Sequence, residues 1–472
     1  MLESTDETEY MASKLQEKEF DQKKMNQKKS MDMLHGPLWN KLLLFALPLA
    51  ASSILQQLFN SVDTAVVGRF ASSQALAAVG SNGSLISLMI NLFIGISLGA
   101  NVIVARYIGQ GATERVSTAV HTAIVVAVLS GFFVLIFGQF IAAPVLLLMG
   151  TPEDVIDLAV LYLRIYLLGM PFIMLYDFGA SILRSIGDSQ RPLYSLIAAG
   201  IVNTVLNLIL VIVFHLGVAG VAIATVVSNI VSSGIVMFIL FHESGLIRVE
   251  LRKLTISGKE LKEMLKIGIP AGLQGMVFSL ANVCIQSTIN SFGSNAVAGS
   301  AAALNFEFFA YFMVNAFAQA TVTFTSQNYG AGEHARCRKI FRTAMLLSIL
   351  SCGCLSMIFV LGRDFFLRLY TTDTAVLGFA MQRLLIVTTL ELLTSTYEIS
   401  AGAMRGRGHS LLPAIITVFG SCVLRLIWIS TACRQVHEFW MLMIIYPISW
   451  VVTGTAMSIA YVRMERKEKL AA

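Results

Sequence analysis

Residues 44–70 read LFALPLAASSILQQLFNSVDTAVVGRF, and Asp63 and Arg69 are the only charged residues in the stretch. About 20 consecutive apolar residues suffice to cross a hydrocarbon core of roughly 30 Å, so a run of this kind predicts a membrane-spanning helix. The run extends over 40–68, and similar ones recur at 83–108, 117–143, 157–185, 192–214 and 217–242. A second set follows at 260–290, 296–327, 335–362, 373–404, 411–433 and 438–462. The composition agrees with this reading. Of the 472 residues 56% are hydrophobic and 13% are charged, against about 25% charged in soluble domains. The expected fold is therefore an all-α membrane protein with twelve transmembrane helices.

The two sets are related in sequence. At a shift of 222, Pro48, Asn60 and Phe70 meet Pro270, Asn282 and Phe292. At 221, Gly109, Gly111 and Arg115 meet Gly330, Gly332 and Arg336, and Arg184, Gly187, Ser189 and Pro192 meet Arg405, Gly408, Ser410 and Pro413. Six helices per half make the two repeats parallel, leaving between them a cleft that rocking can open to either side, the architecture of a transporter. The expected divisions are a disordered cytoplasmic tail over 1–36, an N-terminal six-helix half over 37–242 and a cytoplasmic linker over 243–262. A C-terminal half then covers 263–463 and a cytoplasmic tail 464–472. Basic residues concentrate in alternate connections, which places both termini in the cytoplasm.

The net charge of +6 is spread over these connections, so no nucleic-acid partner is expected. The six cysteines (Cys284, Cys337, Cys352, Cys354, Cys422, Cys433) show neither CxxC nor Cys/His spacing, so neither disulfides nor zinc are expected. The polar first 36 residues have no apolar core of a signal peptide. No GxxxxGK[ST] string, catalytic triad or metal cluster is present. An enzyme is not expected, and transport would draw on an ion gradient. Gly95/Gly99 and Gly268/Gly272 have the spacing of close helix packing.

Ionisable residues at membrane depth are costly and hence candidates for function. Gln56, Asn60 and Asp63 are spaced i, i+4, i+7, on one helical stripe, and Asn60 is expected with Asp63 at a cation-coupling site. Asp63, Asn207 and Thr225 all fall roughly 8–12 Å below the outer surface, with Asn203 one turn deeper than Asn207. A carboxylate among amide and hydroxyl oxygens suits a sodium ion, or a proton. The C-terminal half has Ile285 in place of Asp63, and a polar stripe of Asn282, Gln286 and Asn290. Glu307 lies among Phe306, Phe308, Phe309 and Tyr311, while Glu391 and Glu398 are seven apart on one helix face. Two readings stay open there: contact with an amphipathic cation, or ion pairs in which Arg383 and Arg425 neutralise Glu391 and Glu307.

The residues resemble the multidrug and toxic compound extrusion (MATE) family. The resemblance rests on the opening stretch together with ARYIGQG (105–111), ILRSIGDSQRPL (182–193), VNTVLN (202–207), GVAGVAIATVVS (217–228) and TFTSQNYGAG (323–332). It covers 36–460 and implies export of amphipathic, often cationic compounds in exchange for protons or sodium ions, with no other cofactor. It also implies a coupling site, which Asp63, Asn203 and Thr225 match. Asn207 departs, because many relatives carry Asp there. The expected protein is a monomeric multidrug antiporter of a prokaryotic plasma membrane, working by alternating access, with Gln56, Asn282, Gln286, Glu307, Glu391 and Glu398 towards the substrate cleft. The alternative is a flippase for a lipid-linked saccharide, to which Arg164, Arg383 and Arg425 would offer cations.

Overall fold

A computed structural model describes residues 31–471; the expected tail over 1–30 lies outside them. Among the described residues the regular structure is all helical, as it must be where lipid offers backbone groups no partner. The spans of the first half are α1 (Leu38–Phe70), α2 (Ser73–Gly109), α3 (Thr113–Leu148), α4, α5 (Gln190–Val213) and α6 (Gly217–Phe241). Those of the second are α7 (Gly258–Asn290), α8 (Ser294–Gly330), α9 (His334–Leu361), α10 (Thr374–Gly406), α11 (Leu411–Gln435) and α12 (Phe439–Leu470). The fourth span, α4, consists of Glu153–Leu168 and Met170–Ser185, bent by 47°. Its break is local chemistry: Gly169 ends the first piece, and Pro171, which lacks an N–H, enters the first turn of the second.

Several helices outrun their apolar cores. Ser72 caps α2 by accepting from the Ala75 amide at 3.1 Å, so the helix starts ten residues before the run at 83. Residues 31–36, expected as part of the tail, are instead seated on the bundle. Met33 is buried, and its carbonyl accepts from Asn328 Nδ2 at 3.1 Å and from Arg336 Nε at 3.2 Å. The connection between the halves is tied down as well. His121 Nδ1 donates to the Ser117 carbonyl at 2.7 Å, which leaves Nε2 to accept from the Glu250 amide at 2.9 Å.

The halves meet along α2 and α7, and along α1 and α8. Glycine makes the first approach close. A Cβ on Gly95 would overlap the backbone of Gly272, and one on Gly268 would overlap that of Ile96. The repeat-related Gly109 and Gly330 do the same at one end of the bundle, against Gln327 and Arg106. Phe45 of α1 meets Phe324 of α8 edge-to-face at 5.6 Å. Large side chains such as Phe133, Phe140 and Leu148 are exposed on the outside, the surface a lipid-facing bundle needs.

Candidate functional site

Two polar sites lie within the apolar bundle, one in each half. In the first, α1, α5 and α6 converge. Gly200 lets the Phe59 ring lie against the backbone of α5, where any Cβ would strike the ring. Asp63, one turn further along α1, is thereby buried. Asn207 Nδ2 donates to Asp63 Oδ1, and also to Asn203 Oδ1 at 3.2 Å. Thr225 Oγ1 lies 3.4 Å from Asp63 Oδ2 and 3.0 Å from the Val221 carbonyl, and its one hydrogen is shared between these acceptors. Each carboxylate oxygen thus faces a neutral donor, and among the described residues no cationic side chain is within ion-pair distance. Among the described residues the buried Asn207 Oδ1 has no hydrogen-bond partner.

The structure therefore brings together Asp63, Asn203, Asn207 and Thr225. It does not bring Gln56 and Asn60 to them. Both are exposed, because α5 and α6 cover only the Asp63 end of the shared stripe. By the repeat they hold the places of Phe278 and Asn282, which line the cavity of the other half. The N-terminal half contains a further carboxylate, at a position not among the expected site residues. Asp177 on α4 is half-buried, and Tyr166 lies within electrostatic reach of both Asp63 and Asp177. An acid inside the 157–185 run was the available signal.

The second site is a cavity of about 240 Å³ in the C-terminal half. Asn282, Gln286, Glu307 and Glu391 line it with Arg383, Arg425 and the aromatic rings of Phe278, Phe308, Tyr397, Tyr446 and Trp450. The pairing differs from the one expected. Arg383 forks onto Glu307, Nε to Oε1 at 2.6 Å and Nη2 to Oε2 at 2.8 Å, and its Nη1 donates to Ser300 Oγ at 2.6 Å. This bidentate geometry uses the planar guanidinium fully. Among the described residues Arg425 pairs with no carboxylate within 4.0 Å; it donates to Ser449 Oγ at 3.0 Å and lies over the Tyr446 ring at 4.5 Å. Glu391 is buried in a 3₁₀ turn (Thr388–Leu393) that interrupts α10, and among the described residues it has no ion-pair partner. Glu398 is not in the cavity wall. Seven residues along a helix is about 10 Å, and at that remove it accepts from Tyr311 Oη at 3.3 Å.

Comparison with known proteins decides what this bundle belongs to. The MatE family model matches twice, over residues 48–209 and 270–429. The chain belongs to the MATE family. The two matches begin 222 residues apart, the shift that pairs Pro48 with Pro270, so each half is one copy of the family's unit. The chain is 30% identical to a probable multidrug resistance protein, YoeA, of Bacillus subtilis over 389 residues, which is 81% of this chain and 84% of the relative. It is 26% identical over 397 residues to the probable multidrug resistance protein NorM of Thermotoga maritima, covering 82% and 84%. The fold matches the outward-facing conformation of a MATE family multidrug resistance transporter with a TM-score of 0.88 at 22% identity, covering 93% of this chain and 99% of that one. This MATE protein is thus a multi-pass membrane transporter of two six-helix repeats.

Proposed function

We propose that this protein exports amphipathic cations in exchange for an inward-moving ion, as a monomer in a prokaryotic plasma membrane with both termini in the cytoplasm. The names of its relatives, multidrug resistance proteins, support the direction and the breadth of cargo. They favour drug export over the lipid-linked saccharide flippase. One observation carries the coupling: Asp63 is a buried carboxylate with neutral partners only. A group so placed has no internal counter-charge, so binding or losing a cation changes the site's net charge, and with it the preference between the two orientations of the halves.

The coupling ion is a proton. The half holds one carboxylate in this cluster, and Asn207 turns Nδ2 towards it rather than an oxygen. When Asp63 takes up a proton, a half-turn of the Asn207 amide lets Oδ1 accept from the new O–H. The partnerless Asn207 Oδ1 also favours a second reading, sodium, because the same half-turn adds a fourth oxygen ligand beside Asp63, Asn203 and Thr225. Substrate belongs in the C-terminal cavity, where Glu391, without a close ion-pair partner among the described residues, sits among aromatic faces suited to an organic cation. Efflux of a cationic dye from proteoliposomes tests this. An imposed proton gradient drives efflux on the present reading, and efflux driven by a sodium gradient alone would replace proton with sodium.

A further inference from the structure

The entry to α1, from Gly36 to Trp39, faces the start of α9 across a hollow of about 480 Å³. Arg336, Lys339 and Arg342 form its α9 wall. Spaced three apart, they share one helix stripe about 9 Å long. Among the described residues none of the three has a carboxylate within 4.0 Å, whereas the neighbouring Arg338 points elsewhere and pairs with Glu465 at 3.4 Å. Arg336 is locked at the rim by donating to the carbonyls of Met33 at 3.2 Å and His35 at 3.0 Å. Lys339 and Arg342 are exposed and free to take a ligand. Trp39, across the hollow, is 47% exposed.

In the orientation proposed above, on which this inference rests, the hollow sits at headgroup depth on the cytoplasmic side, where an exposed tryptophan is at home. A basic hollow between spans at that depth fits a phosphate-bearing headgroup, and arginine and lysine supply charge-assisted donors to it. We propose that the hollow binds the headgroup of an anionic phospholipid of the cytoplasmic leaflet, its phosphate on Lys339 and Arg342 and its glycerol end beside Trp39. One wall belongs to each half, so a bound lipid ties α1 to α9 at the end where Gly109 and Gly330 already hold the halves together.

Native mass spectrometry of the full-length protein in mild detergent tests this, with phosphatidylglycerol and phosphatidylcholine added in equal amounts. The protein should retain phosphatidylglycerol in preference. Each basic residue near such a surface multiplies affinity about fivefold, so Lys339→Gln/Arg342→Gln should retain it about 25-fold less. The charge-keeping Lys339→Arg/Arg342→Lys should bind as the parent does, which separates lost charge from lost folding. Equal retention of both lipids, or unchanged retention by the Gln double variant, overturns the proposal. So does displacement of the lipid by millimolar inorganic phosphate, which would mark a free-anion site. Binding in detergent is indifferent to which face is cytoplasmic, so the orientation stands or falls separately, by labelling.

Discussion

Glu307 and Glu391 line one cavity, yet their chemical situations differ. Glu307 is held by the Arg383 fork, and removing one partner of a buried pair costs about 3–5 kcal/mol because the other charge is stranded. Glu307→Gln is therefore expected to lower the thermal unfolding midpoint in detergent sharply. Glu391→Gln breaks no close ion pair but removes a carboxylate within electrostatic reach of the buried Arg425, so the midpoint should fall less than for Glu307→Gln while export of cationic dyes falls; a drop in midpoint matching that of Glu307→Gln would show that Glu391 is structural too. The choice of partner was not legible in the sequence. Arg383 and Arg425 lie at similar depth, and only the packing of α8 against α10 decides that Arg383 takes Glu307. In the other half, Asn207→Asp would set a second carboxylate beside Asp63. Sodium dependence of efflux should then rise, and an unchanged response to sodium would mean that this position does not face the ion.

The helices themselves were legible, because the bilayer fixes the length an apolar run must have. Their ends were less so. The first turns of α2, beginning SQALAAVGSN at residue 73, carry too little apolar surface to announce a span. The cluster of Asp63, Asn203, Asn207 and Thr225 was readable from depth along three helices. Asn60 was misplaced with it because periodicity reports a shared stripe and not what covers each part of it. The glycines of α2 and α7 were read rightly as packing devices, and the structure adds their partners. Gly95→Val would force α2 from the backbone of α7, overpacking that costs about 1–3 kcal/mol. Surface expression and thermal stability should both fall, whereas Gly234→Val on α6, where a side chain meets open space, should leave them unchanged.

For the whole molecule, two parallel repeats around a cleft give a transporter two related states, and on the proposed mechanism the ion and the substrate each favour one. The orientation of the bundle is checked with single cysteines in a chain whose six native cysteines are replaced. Sites beside Gly332 and Gly408 should react only with reagents that reach the cytoplasm, and sites beside Pro152 and Ser294 only from outside; the two glycines themselves, at positive φ, are left in place. Reaction of all four from one side would contradict two six-span halves. The central claim is that Asp63 carries the coupling ion, and Asp63→Asn tests it most directly. The amide keeps the size of the side chain and is cheaper to bury than an unpaired carboxylate, so the protein should fold. In proteoliposomes under an imposed proton gradient the account predicts dye efflux by the parent protein and none above protein-free liposomes by Asp63→Asn. Gradient-driven efflux by Asp63→Asn at the parent rate would contradict it and move coupling out of the N-terminal half.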